Sequence, residues 1–107
     1  LYVTVPRLVG LSLQQAKSTL WDNGLNVGKI VYDQSVDDII SRRQARVYKQ
    51  SQSLGSRLGR GTEVTLYLSC DEQLVDSLSV EATKQLKALE TKRRKEQEAL
   101  KVQEGEE

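Results

Sequence analysis

The sequence predicts an α+β fold in which one helix packs on a three-stranded antiparallel sheet and a charged helix follows at the C terminus. Three observations support this: an amphipathic helix with clear end signals near the N terminus, three β-rich runs after it, and an abrupt change of composition after Cys70. Residues 1–70 are therefore predicted to form one domain and residues 71–107 a helical tail. A chain of 107 residues allows one small domain and little else.

The first helix is predicted from residues at its two ends. Ser12 is the expected N-cap, and Gln15 three residues later is its capping-box partner. Gly24 supplies the left-handed residue that commonly ends a helix. Between them an apolar stripe recurs at three- and four-residue spacing, formed by Leu13, Ala16 and Leu20. These signals predict a helix over 13–23 whose stripe packs on a sheet.

Three runs are rich in β-branched and aromatic residues and predict strands, namely Asn26–Tyr32, Arg46–Ser51 and Glu63–Ser69. The third run is the clearest because apolar and polar residues alternate along it. The segments between the runs, 33–45 and 52–62, are polar or glycine-rich and are predicted as loops.

The tail has no aromatic residue and no proline, which predicts a helix over about 80–102. Glu81 lies in its first turn, and either Ser77 or Ser79 is the expected cap. A short apolar seam is formed by Leu78, Ala82, Leu86 and Leu89. The pairs Glu90–Arg94 and Arg94–Glu98 have the spacing of helical ion pairs. The sequence leaves open whether the tail packs on its own domain, exchanges with a neighbour or extends into solvent.

Composition excludes several classes of function. The chain has no His and a single Cys, so one chain cannot form a His-based triad, a His-containing metal site or an internal disulfide. No catalytic constellation is found, and the sequence predicts neither enzymatic activity nor a cofactor. Apolar runs are too short to cross a bilayer, and a sequence pI near 8.0 with few aromatic residues argues against nucleic-acid binding. A start at Leu1 indicates a piece of a longer protein.

Charge is unevenly distributed, with a net +4 on residues 1–70 and −3 on residues 71–107. In the positive part, Arg42, Arg43 and Arg46 suit an anionic ligand, but a solvated loop balanced by nearby aspartates is the favoured interpretation. The segment that contains Arg57 and Arg60 also has three glycines, Gly55, Gly59 and Gly61. They are interpreted as turn residues rather than as a phosphate-binding loop, because such a loop needs a Lys and a following helix, and neither is present.

Three aromatic or thiol side chains have alternative interpretations. Trp21 is predicted to be partly buried beside Leu20, with an exposed binding surface as the alternative. Tyr48 and Tyr67 are predicted to face outward, either as a ligand platform or simply as a cross-strand pair. Cys70 is predicted to be an inert thiol or to form an occasional intermolecular disulfide, because no neighbouring cation activates it.

The order and spacing of many small motifs are distinctive together. They are Val5-Pro6, Leu8-Val9-Gly10, Leu13, Ala16, Leu20, Gly24-Leu25, Val27-Gly28-Lys29-Ile30, Val47, Gln50-Ser51, Gly55, Leu58, Gly61-Thr62, Val64 and Leu68-Ser69. In these motifs residues 5–69 resemble the PASTA domain, the module named for penicillin-binding proteins and serine/threonine kinases. Two departures stand out: Gln52 replaces the proline usual after Gln-Ser, and the segment 37–45 is longer than the usual connector.

The resemblance implies a noncatalytic module of the bacterial cell envelope, in the periplasm or at the cell surface, anchored through a segment outside this chain. Members usually occur in tandem, and some bind peptidoglycan fragments weakly whereas others act as spacers or docking modules. The expected partners are thus peptidoglycan or muropeptide, neighbouring PASTA domains or another envelope protein. The alternative is a structural spacer or interaction module whose C-terminal helix docks on a partner or self-associates.

Ligand-binding candidates are chosen by chemistry, because aromatic rings suit sugar faces and arginine forks suit the carboxylates of stem peptides. They are Tyr48, Tyr67, Arg43, Arg57 and Arg60. No catalytic residue and no metal ligand is predicted.

Overall fold

The computed structural model describes residues 1–106, and at residues 104 and 106 the backbone alone. Along the chain the elements are β1 (Tyr2–Thr4), α1 (Leu13–Asp22), β2 (Asn26–Tyr32), α2 (Ile39–Gln44), β3 (Arg46–Gln50), β4 (Arg57–Gly59), β5 (Glu63–Ser69) and α3 (Glu72–Glu106). The α+β class and the long C-terminal helix are confirmed.

Helix α1 has the predicted ends. The Gln15 N–H donates to Ser12 Oγ at 3.2 Å, and the Ser12 N–H donates to Gln15 Oε1 at 3.1 Å, which completes the capping box. Gly24 has φ +76°, and the Leu25 N–H reaches back to the Leu20 carbonyl at 2.9 Å. Such a left-handed residue followed by a long backward bond is a common helix ending. The helix stripe is buried on the sheet.

The main sheet has the order β2-β5-β3, with β5 in the centre. The prediction of a wholly antiparallel sheet is wrong: β3 pairs with β5 antiparallel, but β2 pairs with β5 parallel. The reason is that β2 and β3 flank β5 instead of pairing with each other. The connection from β2 to β5 spans α2, β3 and β4, which is long enough to return the chain to the starting end of the sheet.

Both segments predicted as loops contain a regular element. In the first, Asp38 caps the six-residue helix α2, and its Oδ1 accepts the Ser41 N–H at 2.7 Å. In the second, β4 pairs with β1 as a separate two-stranded sheet. These elements have too few residues to show a periodic pattern, and pairing or capping partners stabilise them instead.

The Gln50 side chain holds the Pro6–Leu8 segment against the end of β3 through hydrogen bonds. The Leu8 N–H donates to Gln50 Oε1 at 3.0 Å, and Gln50 Nε2 donates to the carbonyls of Pro6 at 3.2 Å and Gln52 at 2.8 Å. Leu8 is fully buried in the core beneath these hydrogen bonds. The Gln50-Ser51 motif therefore has a structural role in this chain.

Helix α3 begins at Glu72, well before the predicted start near residue 80. Asp71 caps it, since its Oδ1 accepts the Leu74 N–H at 3.2 Å. The predicted caps Ser77 and Ser79 lie inside the helix, and that prediction is wrong. The early start follows from packing, because Val75 at the end of the first turn is only 1% exposed. The helix therefore continues almost directly from β5.

The first part of α3 packs back on its own domain. Arg7 donates to Thr83 Oγ1 at 2.8 Å, to the Ser79 carbonyl at 3.0 Å and to Ser79 Oγ. Among the side chains that the structure describes, the ion pair Arg46–Asp76 at 2.9 Å is the only one within 4 Å. The helical pairs expected at Glu90–Arg94 and Arg94–Glu98 are therefore not formed. In the described part of the chain, no helix combines the length and apolar character needed to cross a membrane.

Candidate functional site

Two tyrosines meet on the face of the main sheet that α1 leaves open. Leu66 and Leu68 of β5 point into the core, so Tyr67 between them points to the opposite face. In β3 Val47 is buried, so Tyr48 after it points to the same outer face as Tyr67, and a bulge between Val47 and Lys49 brings Lys49 opposite Tyr67. The ring centroids are 6.4 Å apart with an interplanar angle of 61°, an edge-to-face arrangement. The predicted outward pair is thus confirmed as a geometric pair.

Lys49 completes this surface, which we call the tyrosine face (Tyr48, Lys49 and Tyr67). The Lys49 ammonium lies 5.0 Å from the centroid of the Tyr67 ring, within the range of a cation–π interaction. Val31, paired with Tyr67 in the sheet, is 38% exposed and extends the apolar surface toward β2. The face therefore combines aromatic rings, an aliphatic edge and one positive charge. It can stack on an apolar sugar face and neutralise one carboxylate.

Arg43 lies on the other side of the sheet, in a cleft of about 430 Å³ between α1 and α2. We call this the α1–α2 cleft; it is lined by Ser12, Leu13, Gln14, Lys17, Tyr32, Arg42 and Arg43. The Arg42 guanidinium lies 5.6 Å from the centroid of the Tyr32 ring. Tyr32 packs against the core cluster, which places the cleft on the helix-covered side. Arg43 is thus not brought to the tyrosine face.

Arg57 and Arg60 occupy a third place, around the small β1–β4 sheet. The Arg57 guanidinium lies 5.6 Å from the centroid of the Tyr2 ring. The Arg60 side chain lines a shallow depression with Tyr2 and Gly24 at the end of α1. The five candidates predicted from sequence are therefore divided among three surfaces, and the structure brings together only Tyr48 and Tyr67.

Sequence reasoning missed Lys49, Lys17 and Tyr32 as members of these surfaces. Lys49 follows Tyr48 directly, and a regular strand would place consecutive side chains on opposite faces. The β3 bulge cancels this alternation, and the sequence carries no signal for it. The prediction of partial burial for Trp21 is wrong, because its side chain is 57% exposed near the end of α1.

Cys70 lies at the end of β5 in a network of hydroxyl groups. Its thiol donates to the Ser41 carbonyl with an Sγ–O distance of 3.0 Å, and its N–H donates to Ser35 Oγ at 2.7 Å. Burial, and then the negative charge of Asp33 and other nearby aspartates, raises the pKa of the Cys70 thiol. The side chain is therefore a protonated thiol at neutral pH, which favours the predicted inert role.

Asp33 is held in the same network. Burial acts to raise its pKa, but hydrogen bonds from Ser35 and Ser69 outweigh it and lower the pKa of the carboxyl group overall. Asp33 is thus a structural carboxylate. Among the side chains that the structure describes, no group of three or more His, Cys, Asp or Glu is placed to hold a metal ion.

Comparison with known protein families gives one match. The family model described as the PASTA domain matches residues 3–69, which covers the main sheet, α1, α2 and the small sheet except for Tyr2. Comparisons with curated proteins and with solved structures give no match. PASTA domains are noncatalytic modules of cell-envelope proteins, where they lie outside the cytoplasm. The matched range agrees with the motifs from Val5 to Ser69 and with the capped helix α1. The chain therefore belongs to the PASTA domain family.

Proposed function

We propose that this PASTA domain binds peptidoglycan fragments weakly through the tyrosine face, as one unit of a tandem array. The observation that supports this is the paired, edge-to-face rings of Tyr48 and Tyr67 with Lys49 beside them, on the sheet face opposite α1. We further propose that the parent protein is anchored in the membrane through a segment outside this chain and that the domain itself lies in the periplasm or at the cell surface.

The chemistry of the tyrosine face suits a muropeptide. Sugar rings present C–H groups that pack on aromatic faces, and tyrosine hydroxyls bond to sugar hydroxyls. The Lys49 ammonium offers one charge for a stem-peptide carboxylate. Both rings are only half-exposed, so we expect one domain to bind with low affinity. Linked copies would raise the affinity of the whole array through effective concentration.

An amide chemical-shift titration with purified muropeptides tests this proposal. We expect saturable shifts at Val31, Tyr48, Lys49 and Tyr67 that disappear in Tyr48→Ala. Tyr2→Ala is the matched control, because Tyr2 is also a strand tyrosine but lies on the small sheet. Absence of shifts at millimolar ligand, or equal losses in both variants, would contradict the tyrosine face as the site.

A spacer role is a second candidate, and the continuity of α3 favours it. The helix follows β5 after only Cys70 and Asp71. Hydrogen bonds from Arg7 to Ser79 and Thr83 hold its first half on the domain. A helix of 35 residues fixed at one end would hold a neighbouring PASTA domain or another envelope protein at a set distance. Docking of its exposed end on a partner, or on a second copy, is the related alternative.

Distance measurements by pulsed electron double resonance test the spacer role. Spin labels at Gln14→Cys and Gln97→Cys, in a Cys70→Ser background, report the distance from the domain to the far part of α3. A single narrow distribution at the helical distance supports a rigid spacer. A broad distribution, or one that changes with protein concentration, would contradict a rigid monomeric spacer.

A further inference from the structure

The α1–α2 cleft concentrates positive charge on the side of the sheet away from the tyrosine face. Three of its lining residues are cationic: Lys17 from α1, and Arg42 and Arg43 from α2. No lining residue is acidic. Among the described side chains, none of the three cations has a carboxylate oxygen within 4 Å, because Arg46–Asp76 is the only ion pair there. The cleft therefore holds a formal charge of +3 without an internal counter-ion.

The acidic residues nearest in sequence, Asp33, Asp37 and Asp38, accept hydrogen bonds from serines and form no ion pair with Arg42 or Arg43. Asp38 Oδ1 accepts the Ser41 N–H at the start of α2, and Asp33 accepts hydrogen bonds from Ser35. Arg46, the third arginine of this segment, is paired with Asp76 of α3. The nearby aspartates, which the sequence predicted to balance these arginines, therefore form no ion pair with any of the three, and Arg46 pairs instead with the distant Asp76.

The cationic groups are partly preorganised. The Arg42 guanidinium lies 5.6 Å from the centroid of the Tyr32 ring, which limits the positions that this long side chain samples. Arg43 follows it in the last turn of α2, and Lys17 faces the same cleft from α1. Ser12 and Gln14 add neutral hydrogen-bonding groups to the lining. A volume of about 430 Å³ admits a small anionic ligand rather than a single ion.

We propose that the α1–α2 cleft is a binding site for a phosphate-bearing ligand that carries at least two negative charges. Guanidinium groups bind phosphate oxygens in a bidentate manner, and a lysine adds a further point charge. A single carboxylate would neutralise only one of three cations, whereas a diphosphate or consecutive phosphodiesters match the charge of the cleft. Both arginines come from the last turn of α2.

The proposal does not depend on the proposed muropeptide site. The two surfaces lie on opposite sides of the main sheet and share no residue. Ligand chemistry also differs, since the tyrosine face offers one positive charge and two rings, whereas the cleft offers three positive charges.

Amide chemical-shift titration of the 107-residue chain with pyrophosphate tests the site, with acetate at equal ionic strength as the comparison ligand. We expect saturable shifts at Lys17, Tyr32, Arg42 and Arg43 with pyrophosphate and none with acetate. Arg42→Gln with Arg43→Gln should weaken pyrophosphate binding by about tenfold or more. The matched control is Arg57→Gln with Arg60→Gln, which removes the same charge from the β1–β4 region and should leave the affinity unchanged.

Three outcomes would overturn the proposal: no saturable shifts, equal responses to acetate and pyrophosphate, or equal weakening in both double variants. The last would show that net charge alone attracts the anion. Sedimentation with cardiolipin-containing vesicles, in which each cardiolipin carries two phosphates, against phosphatidylcholine vesicles identifies the source of the phosphate. Binding lost in the Arg42/Arg43 variant assigns a lipid headgroup, whereas pyrophosphate binding without vesicle binding assigns a soluble ligand. The Arg42/Arg43 variant is also titrated with muropeptide. Shifts at Tyr48 would then show whether the tyrosine face binds, independently of the result for the cleft.

Discussion

The two parts of α3 differ in composition and in environment, since eight of the 18 residues from 72 to 89 are apolar but only three of the 14 from 90 to 103. Along residues 72–89, Val75 and Ala82 are buried against the domain, Leu86 and Leu89 are half-buried, and Ser79 receives hydrogen bonds from Arg7. Along residues 90–103 every side chain is exposed. One continuous helix is thus anchored by tertiary contacts over its first half and has none over its second.

The difference shows which interactions maintain each part. Packing of an apolar face supplies most helical stability in proteins, and residues 72–89 have such a face. The exposed part continues a helix that is already nucleated, so it avoids the cost of initiation. Its side chains contribute helix propensity rather than burial. Substitutions in the first part should therefore change global stability, whereas those in the second part should not.

The largest effect is expected for Val75→Asp. Val75 is 1% exposed, and a carboxylate there would be buried without a partner, which costs about 3 kcal/mol or more. Leu100→Asp is the control, because Leu100 is exposed on the same helix and should change stability by less than about 0.5 kcal/mol. Urea denaturation measures both. Similar losses in the two variants would show that the two parts of α3 do not differ in this way.

Arg7→Ala should have the next largest effect. Arg7 donates to Thr83 and to Ser79, so its removal should cost about 1–2 kcal/mol of stability and raise hydrogen exchange along residues 72–89. Arg93→Ala, in the exposed part, removes the same charge without a described hydrogen bond and should leave exchange there unchanged. Unaltered exchange in Arg7→Ala would mean that other contacts hold the helix.

A glycine pair isolates the contact at the end of the anchored part. Gly55 and Gly61 have nearly equal φ values, +87° and +88°, so alanine at either position costs about 1–2 kcal/mol in backbone strain. A Cβ at Gly55 would lie 2.7 Å from Leu89 Cδ2, whereas nothing lies within 4 Å at Gly61. Thermal denaturation should show Gly55→Ala as the less stable variant, by up to about 1 kcal/mol. Equal stabilities would show that Leu89 moves aside without cost.

The smallest effect is expected for Asp76→Asn, which breaks the ion pair with Arg46. Both side chains are substantially exposed, at 67% and 36%, so water and salt screen the pair. We expect a loss below about 0.5 kcal/mol in urea denaturation at low salt and none at high salt. A loss comparable to that of Arg7→Ala would contradict the view that packing and the partly buried hydrogen bonds of Arg7, rather than surface charge, hold α3 on the domain.

How well each element could be predicted depends on where its stabilising contacts lie. The bounds of α1 are carried by Ser12, Gln15 and Gly24, all within one turn of its ends, and the prediction was accurate to one residue. Strands β2 and β5 matched in full because their patterns are local. In contrast, β4 and the parallel register of β2 depend on partners far along the chain, and no local pattern indicates them.

The candidate sites show the same division. Alternation along β5 was enough to place Tyr67 outward, and its pairing with Tyr48 followed. Grouping Arg43, Arg57 and Arg60 with them failed, because side-chain chemistry gives no information on which surface an arginine reaches. Only the tertiary structure separated Arg46, which pairs with Asp76, from Arg42 and Arg43 at the cleft.

By itself the sequence determined the α+β class, the ends of α1, the three main strands and the family. Each of these depends on residues that are close together in the chain or on the spacing of motifs along it. The tertiary structure decided the mixed sheet, the early start of α3, its anchoring through Arg7 and Val75, and the division of candidate residues among three surfaces. These features depend on contacts between residues distant in the chain, and the free energy of such contacts appears only once the elements have packed.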